Sequence, residues 1–210
     1  TSYLPVNAAT DQGDLCAFVY KIDRDEQMHK RAFARVFGGS LEIRDTVAVE
    51  GCEEPLKLKK LGKLQNGKIV PAEYVLSGDI AVLSNMQNIR IGDVIGGRSR
   101  HLPQISMAQP SLQASVMPLN QEHRSRLIQA LFELTEEDPL LHCEVDKYTG
   151  EITIRLFGKV QMEVIEALLE ERYHLNIQFG ELMTIYKERP KRAADAIIHI
   201  EVPPNPYWAS

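Results

Sequence analysis

Residues 151–179 read EITIRLFGKVQMEVIEALLEERYHLNIQF. The first six alternate. Ile152, Ile154 and Leu156 fall on one side and Glu151, Thr153 and Arg155 on the other, the period of a half-buried strand. The period then changes: Val160, Val164, Ile165, Leu168 and Leu169 recur at helical spacing, which predicts a helix over Gly158–Tyr173 with these five on its buried face. Leu175–Phe179 alternates again and predicts a strand.

The residues before this stretch complete the unit. Leu112–Met117 reads as a strand, and Asn120 suits the N-cap of a helix over Gln121–Glu136. Leu127, Ile128, Leu131 and Leu134 form that helix's apolar face, and Asp138-Pro139 ends it. Leu140–Val145 is the next expected strand, followed by a turn at Lys147–Gly150. The order β-α-β-β-α-β is the ferredoxin-like unit, with both helices on one face of a four-stranded antiparallel sheet.

Residues 14–97 follow a different grammar. Strands are expected at Leu15–Ile22, Arg31–Phe37, Leu41–Arg44, Thr46–Val49, Ile80–Leu83 and Val94-Ile95, with glycine-bearing turns between them. Asn66-Gly67 is the strongest turn signal, because both central positions of a type I′ hairpin turn need positive φ. Many short strands without a helical period favour a β-barrel that closes on itself, since closure removes exposed edges. Residues 98–111 lose periodicity and read as a linker. Ala196–Val202 alternates like a strand, then runs into Pro203-Pro204 and stops at Ser210. That unfinished strand, with no Met at position 1, leads us to expect a piece cut from a longer protein.

Composition narrows the function classes. Of the 210 residues, 44% are hydrophobic and 25% charged, as in ordinary soluble domains. No apolar run approaches the roughly 20 residues of a membrane span. The three cysteines, Cys16, Cys52 and Cys143, lack the spacing of a zinc site or disulfide framework. The net charge of −5 argues against nucleic-acid binding through overall charge, but not against local basic patches. Lys57, Lys59, Lys60 and Lys63 form one such run, Arg98 with Arg100 another, and Lys187, Arg189, Lys191 and Arg192 a third.

Motifs that suggest chemistry fall short. Gly62–Ile69 nearly matches a phosphate loop, but Ile69 stands where a hydroxyl must hold Mg²⁺, and Pro71 follows where a helix should begin. An Asn66-Gly67 hairpin accounts for the stretch better. His142-Cys143-Glu144 has half of a zinc-deaminase signature, without the required Cys pair. Glu166 and Glu170 are expected on the solvent side of the second helix. No catalytic, cofactor-binding or metal-binding residue is assigned.

Four stretches carry a resemblance. Gly158–Ile165 is similar to the start of the second helix of domain III in elongation factor G, and Thr184–Pro190 to the connection from that domain into domain IV. Gly13–Asp45 resembles domain II, the β-barrel of translation factors. Ile200–Ser210, with Pro203-Pro204-Asn205-Pro206-Tyr207-Trp208, resembles the opening of domain IV in tetracycline-resistance ribosomal protection proteins. The resemblance implies an N-terminal segment 1–13, a domain II barrel 14–97, a linker 98–111, a ferredoxin-like domain III 112–189 and the truncated start of domain IV at 190–210. It implies a cytoplasmic parent that binds GTP and Mg²⁺ in a domain outside this stretch and releases the drug from the ribosome. Implied partners are small-subunit rRNA, a small-subunit protein, and the parent's GTPase domain and domain IV, with no membrane. Lys30, Arg31, Lys57, Lys59 and Lys60 are the expected rRNA contacts. Equivalent domains of elongation factor G or a release-factor-like GTPase are one alternative. An autonomous RNA- or protein-binding module is another, although the aromatics that stack RNA bases on such sheets are missing from Leu112–Met117 and Glu151–Leu156.

Overall fold

The computed structural model describes residues 14–50, 52, 54–84, 86–97, 102 and 108–186. The tail at 196–202, Trp208 and the basic runs at 98–100 and 187–192 lie outside them.

The chain opens with a long hairpin, β1 (Cys16–Arg24) and β2 (Lys30–Gly38). Short strands follow: β3 (Ser40–Glu42), β4 (Thr46–Val47), β5 (Leu56–Lys57), β6 (Leu61–Gln65), β7 (Lys68–Pro71), β8 (Tyr74–Leu76), β9 (Ile80–Ser84) and β10 (Val94–Gly96). The main sheet runs β10-β1-β2-β9-β6-β7, with β3-β8 and β4-β5 as separate pairs. The expected closed barrel is therefore not a ring of continuous ladders. Single bonds carry pairing round the far side: Gly96 N–H donates to Ala48 O at 2.8 Å, Arg44 N–H to Leu58 O at 2.8 Å, and Ile43 N–H to Glu73 O at 2.8 Å. The strands there are only two or three residues long, too short to hold a ladder. Val19, Ile22, Ala34, Leu41, Leu58, Leu83 and Ile95 share one core inside.

Turn chemistry sets the register. Asn66 and Gly67 have φ of 51° and 74°, the type I′ geometry expected of them, and join β6 to β7. Residues 62–69 are thus a hairpin and not a phosphate loop. At Gly96, φ is +84°, and a Cβ there would meet the Leu15 carbonyl, so only glycine fits.

The second unit consists of β11 (Leu112–Pro118), α1 (Arg124–Glu137), β12 (Glu144–Val145), β13 (Ile152–Leu156), α2 (Lys159–Tyr173), β14 (Ile177–Phe179) and β15 (Met183–Thr184). The sheet order β12-β13-β11-β14 is that of a ferredoxin-like sheet, and β15 adds a short pair to β11. Leu127, Leu131 and Leu134 of α1 meet Ile165 and Leu169 of α2 over Ala114, Val116, Ile152 and Ile154.

Local departures have identifiable causes. Asn120 accepts from Glu122 N–H at 3.0 Å as a cap should, but it opens a 3-10 turn, and the α-helix begins only at Arg124. The strand expected at Leu140–Val145 shrinks to Glu144–Val145. Asp138 caps a 3-10 turn at Pro139–Leu141, and His142 takes a left-handed φ of 40°. On α2, Ile165 and Leu169 are buried and Leu168 is packed against the core, but Val160 and Val164 are 73% and 52% exposed. The sheet beneath α2 reaches only one side of the helix, so the five-residue apolar face expected there is narrower.

Candidate functional site

The basic run of the first unit is held outward by a buried neighbour. Leu58 is fully buried, its N–H donating to Asp45 O at 2.8 Å and its carbonyl accepting from Arg44 N–H at 2.8 Å. Strand alternation then turns Lys57 and Lys59 out, and Lys60 is exposed just ahead of β6. No ion pair joins these three lysines to an acid among the described residues, whereas Lys63 is bound to Asp79 at 2.7 Å. Three uncommitted ammonium groups on one short segment form a surface that can neutralise phosphates.

Lys30 and Arg31 are placed differently. Lys30 is 3% exposed, and its Nζ donates to Glu136 Oε1 at 2.9 Å and Gln87 O at 3.0 Å. It is an internal cation, because β2 starts beneath α1 and the ammonium finds a carboxylate there. Arg31 is half-buried and its Nε donates to Asp23 Oδ1 at 2.7 Å across the β1–β2 ladder. Neither side chain is a free surface cation.

A second cluster joins the two units. Arg24 Nε donates to Glu133 Oε2 at 3.2 Å and its Nη2 to Glu136 Oε2 at 2.8 Å. Tyr173 donates its hydroxyl to Glu133 Oε2 at 3.0 Å, and Arg172 pairs with Glu137 at 3.0 Å. Burial alone would raise the Glu136 carboxyl, but hydrogen bonds and charges from Arg24 and Lys30 outweigh it and hold the group below its ordinary range. Burial beside Glu133 raises the Tyr173 phenol, keeping the hydroxyl protonated as a donor. The residue patterns above did not single out this cluster. The one legible sign was a pair of acids, Glu133 and Glu136, three apart on the flank of an apolar helix face.

The remaining motifs gain no chemistry from their surroundings. Burial pushes the Cys143 thiol up to about 11, so it is protonated near neutrality and a poor nucleophile. Glu166 and Glu170 are exposed on α2. Among the described residues no three His, Cys, Asp or Glu side chains are grouped to hold a metal ion, and no helix is long and apolar enough to cross a membrane.

A glycine-turned β unit of this strand order, followed by a ferredoxin-like unit, is the arrangement of an elongation-factor-G-type protein. Residues 14–97 match the family described as elongation factor G domain 2, and residues 107–181 match elongation factor G, domain III. Within that class the chain is similar to tetracycline resistance proteins. It is 36% identical to tetracycline resistance protein TetP of Clostridium perfringens over 209 residues, which is 100% of this chain and 32% of that protein. It is 41% identical to TetW of Butyrivibrio fibrisolvens over 199 residues, 93% of this chain and 31% of that one. To TetM from transposon Tn916 of Enterococcus faecalis it is 41% identical over 200 residues, 94% and 31%. The chain thus spans about a third of the length of these curated relatives. A crystal structure of a protein from Thermus thermophilus superposes with a TM-score of 0.69 at 23% identity, covering 80% of this chain and 26% of that one, which supports the fold.

Proposed function

We propose that this chain is a ribosome-binding scaffold of a translational GTPase that protects the ribosome from tetracycline by releasing the drug. The observation that carries the reading is the tandem of elongation factor G domains 2 and III in a chain 36–41% identical to proteins named for tetracycline resistance. In this reading the units at 14–97 and 112–189, joined by a linker at 98–111, hold the shape of the parent. GTP and Mg²⁺ belong to a domain outside this stretch. The hairpin at residues 62–69 agrees with that assignment, since it leads into a strand and not a helix N-terminus for phosphates to meet, and Ile69 has no side-chain hydroxyl for Mg²⁺. The chain itself catalyses nothing, and the parent works in the cytoplasm.

Lys57, Lys59 and Lys60 are the groups we assign to rRNA phosphates. Lys30 and Arg31 are withdrawn from that role, because their charges are committed to Glu136 and Asp23. A small-subunit protein and the parent's GTPase domain are the protein partners of this reading. Two measurements on the chain test it. Calorimetry with GTP and Mg²⁺ should show no binding, and micromolar binding would overturn the assignment of nucleotide chemistry elsewhere. Sedimentation with small ribosomal subunits at low salt should carry the chain into the pellet, and a chain left in the supernatant at every salt concentration would overturn the scaffold role.

A further inference from the structure

Arg24 and Lys30 face each other as the last register pair of the β1–β2 ladder. Like charges placed directly opposite on paired strands repel. The next pair inward, Asp23 with Arg31, satisfies itself. Among the described residues neither Arg24 nor Lys30 is ion-paired with an acid of its own hairpin, where Asp23 and Asp25 are taken by Arg31 and His29. Both cations are nonetheless buried, with side chains 8% and 2% exposed. Their compensation comes from the other unit. Glu136 gives one carboxylate oxygen to Lys30 and the other to Arg24, and Glu133, one helical turn earlier, accepts from the Arg24 Nε. Glu133 is itself fixed by Tyr173 and by Gln129, which donates to its other oxygen at 3.2 Å.

Among the described residues, every ion pair between the two units runs through Arg24 or Lys30. The two apolar cores share no residue. The ionic junction lies between two open clefts of about 320 and 480 Å³, one lined by Met28, Arg126 and Tyr173, the other by Ile22, Leu134 and Val164. A narrow polar contact flanked by clefts on both sides is the geometry of a pivot, whereas a fixed interface would bury a continuous apolar patch.

We propose that Arg24 and Lys30, bridged by Glu133 and Glu136, form an ionic latch that sets the orientation of the β unit relative to the ferredoxin-like unit. With the carboxylates in place the hairpin tip is clamped to α1. Without them two buried cations repel each other, and the units turn about the hairpin independently. The latch is a property of this chain alone and stands or falls separately from the ribosome reading.

Residual dipolar couplings of backbone amides test it. In the chain as it stands, amides of β1–β10 and of β11–β15 should fit one alignment tensor. In Glu136→Gln, which keeps side-chain shape and loses the charge, the two sets should need different tensors while each keeps the amide shifts of its own core. Glu163→Gln, on the exposed side of α2, should keep the single tensor. If Glu136→Gln leaves Lys30 stranded and unfolds the hairpin, Lys30→Met combined with Glu136→Gln removes the stranded charge and should again give two tensors. A single tensor in a folded latch variant, or two tensors in the unaltered chain, would overturn the latch.

Discussion

At the scale of single residues, Glu136 shows how position decides what a carboxylate does. On sequence it is one acid among many near a helix end. In the fold it is held by Arg24 and Lys30, and its folded-state pKa lies below its ordinary value of 4.5. A depressed carboxylate contributes stability that is present above the unfolded-state pKa and lost as pH falls through the folded value. The Glu136 carboxyl carbon should therefore titrate with a midpoint below 4.5, and a carbon-detected NMR titration with a midpoint at or above 4.5 would contradict the pairing. Glycine offers a second residue-scale contrast. Gly67→Ala has open space around the new methyl and meets only the positive-φ penalty, about 1–2 kcal/mol. Gly96→Ala adds a collision with the Leu15 backbone and should cost clearly more, on the order of 3 kcal/mol or above. Denaturant midpoints of the two variants check the order. Lys30 marks the limit of reading cations from sequence. A lysine beside a strand resembles a solvated charge until the helix that covers it is known.

At the scale of elements, period and turn chemistry carried most of the fold. Strands at β1 and β2, the Asn66-Gly67 turn, the Asn120 cap and the alternation of Ile152, Ile154 and Leu156 were legible, because residue period and turn chemistry are local signals. What was not legible depends on distant partners. The five apolar positions of α2 spread over about half the helix, with Val160 on the opposite side from Leu169, and the core covers only the side of Ile165 and Leu169, so Val160 and Val164 stay exposed. The short pairs β4-β5 and β3-β8 are likewise held by long-range bonds that no local pattern announces. The division of α2 makes a measurable contrast. Leu169→Ala, in the core, should lose about 2–5 kcal/mol. Val160→Ser, exposed, should change stability by no more than about 0.5 kcal/mol. Equal losses in urea unfolding would mean that α2 is packed differently.

At the scale of the whole molecule, two cores, a narrow ionic junction and one outward-facing lysine segment describe two packed units with a surface to present. The proposed scaffold role calls for such a form. The net charge of −5 leaves contact with RNA to a local basic patch. Lys57, Lys59 and Lys60 lie together without an ion pair among the described residues, while Arg24, Lys30, Arg31 and Lys63 are matched to acids. The most direct test of the ribosome reading uses a protein of the relatives' full length that carries this stretch, with those three lysines replaced by alanine. Its affinity for ribosomes should be followed across a salt series. Removing one phosphate-neutralising cation should flatten the log–log salt slope by roughly 0.7–0.9. Replacing all three lysines should therefore lower affinity at low salt and flatten the slope by about 2 to 3 in all. An affinity and slope unchanged from the unaltered protein would contradict the assignment of this surface to the ribosome.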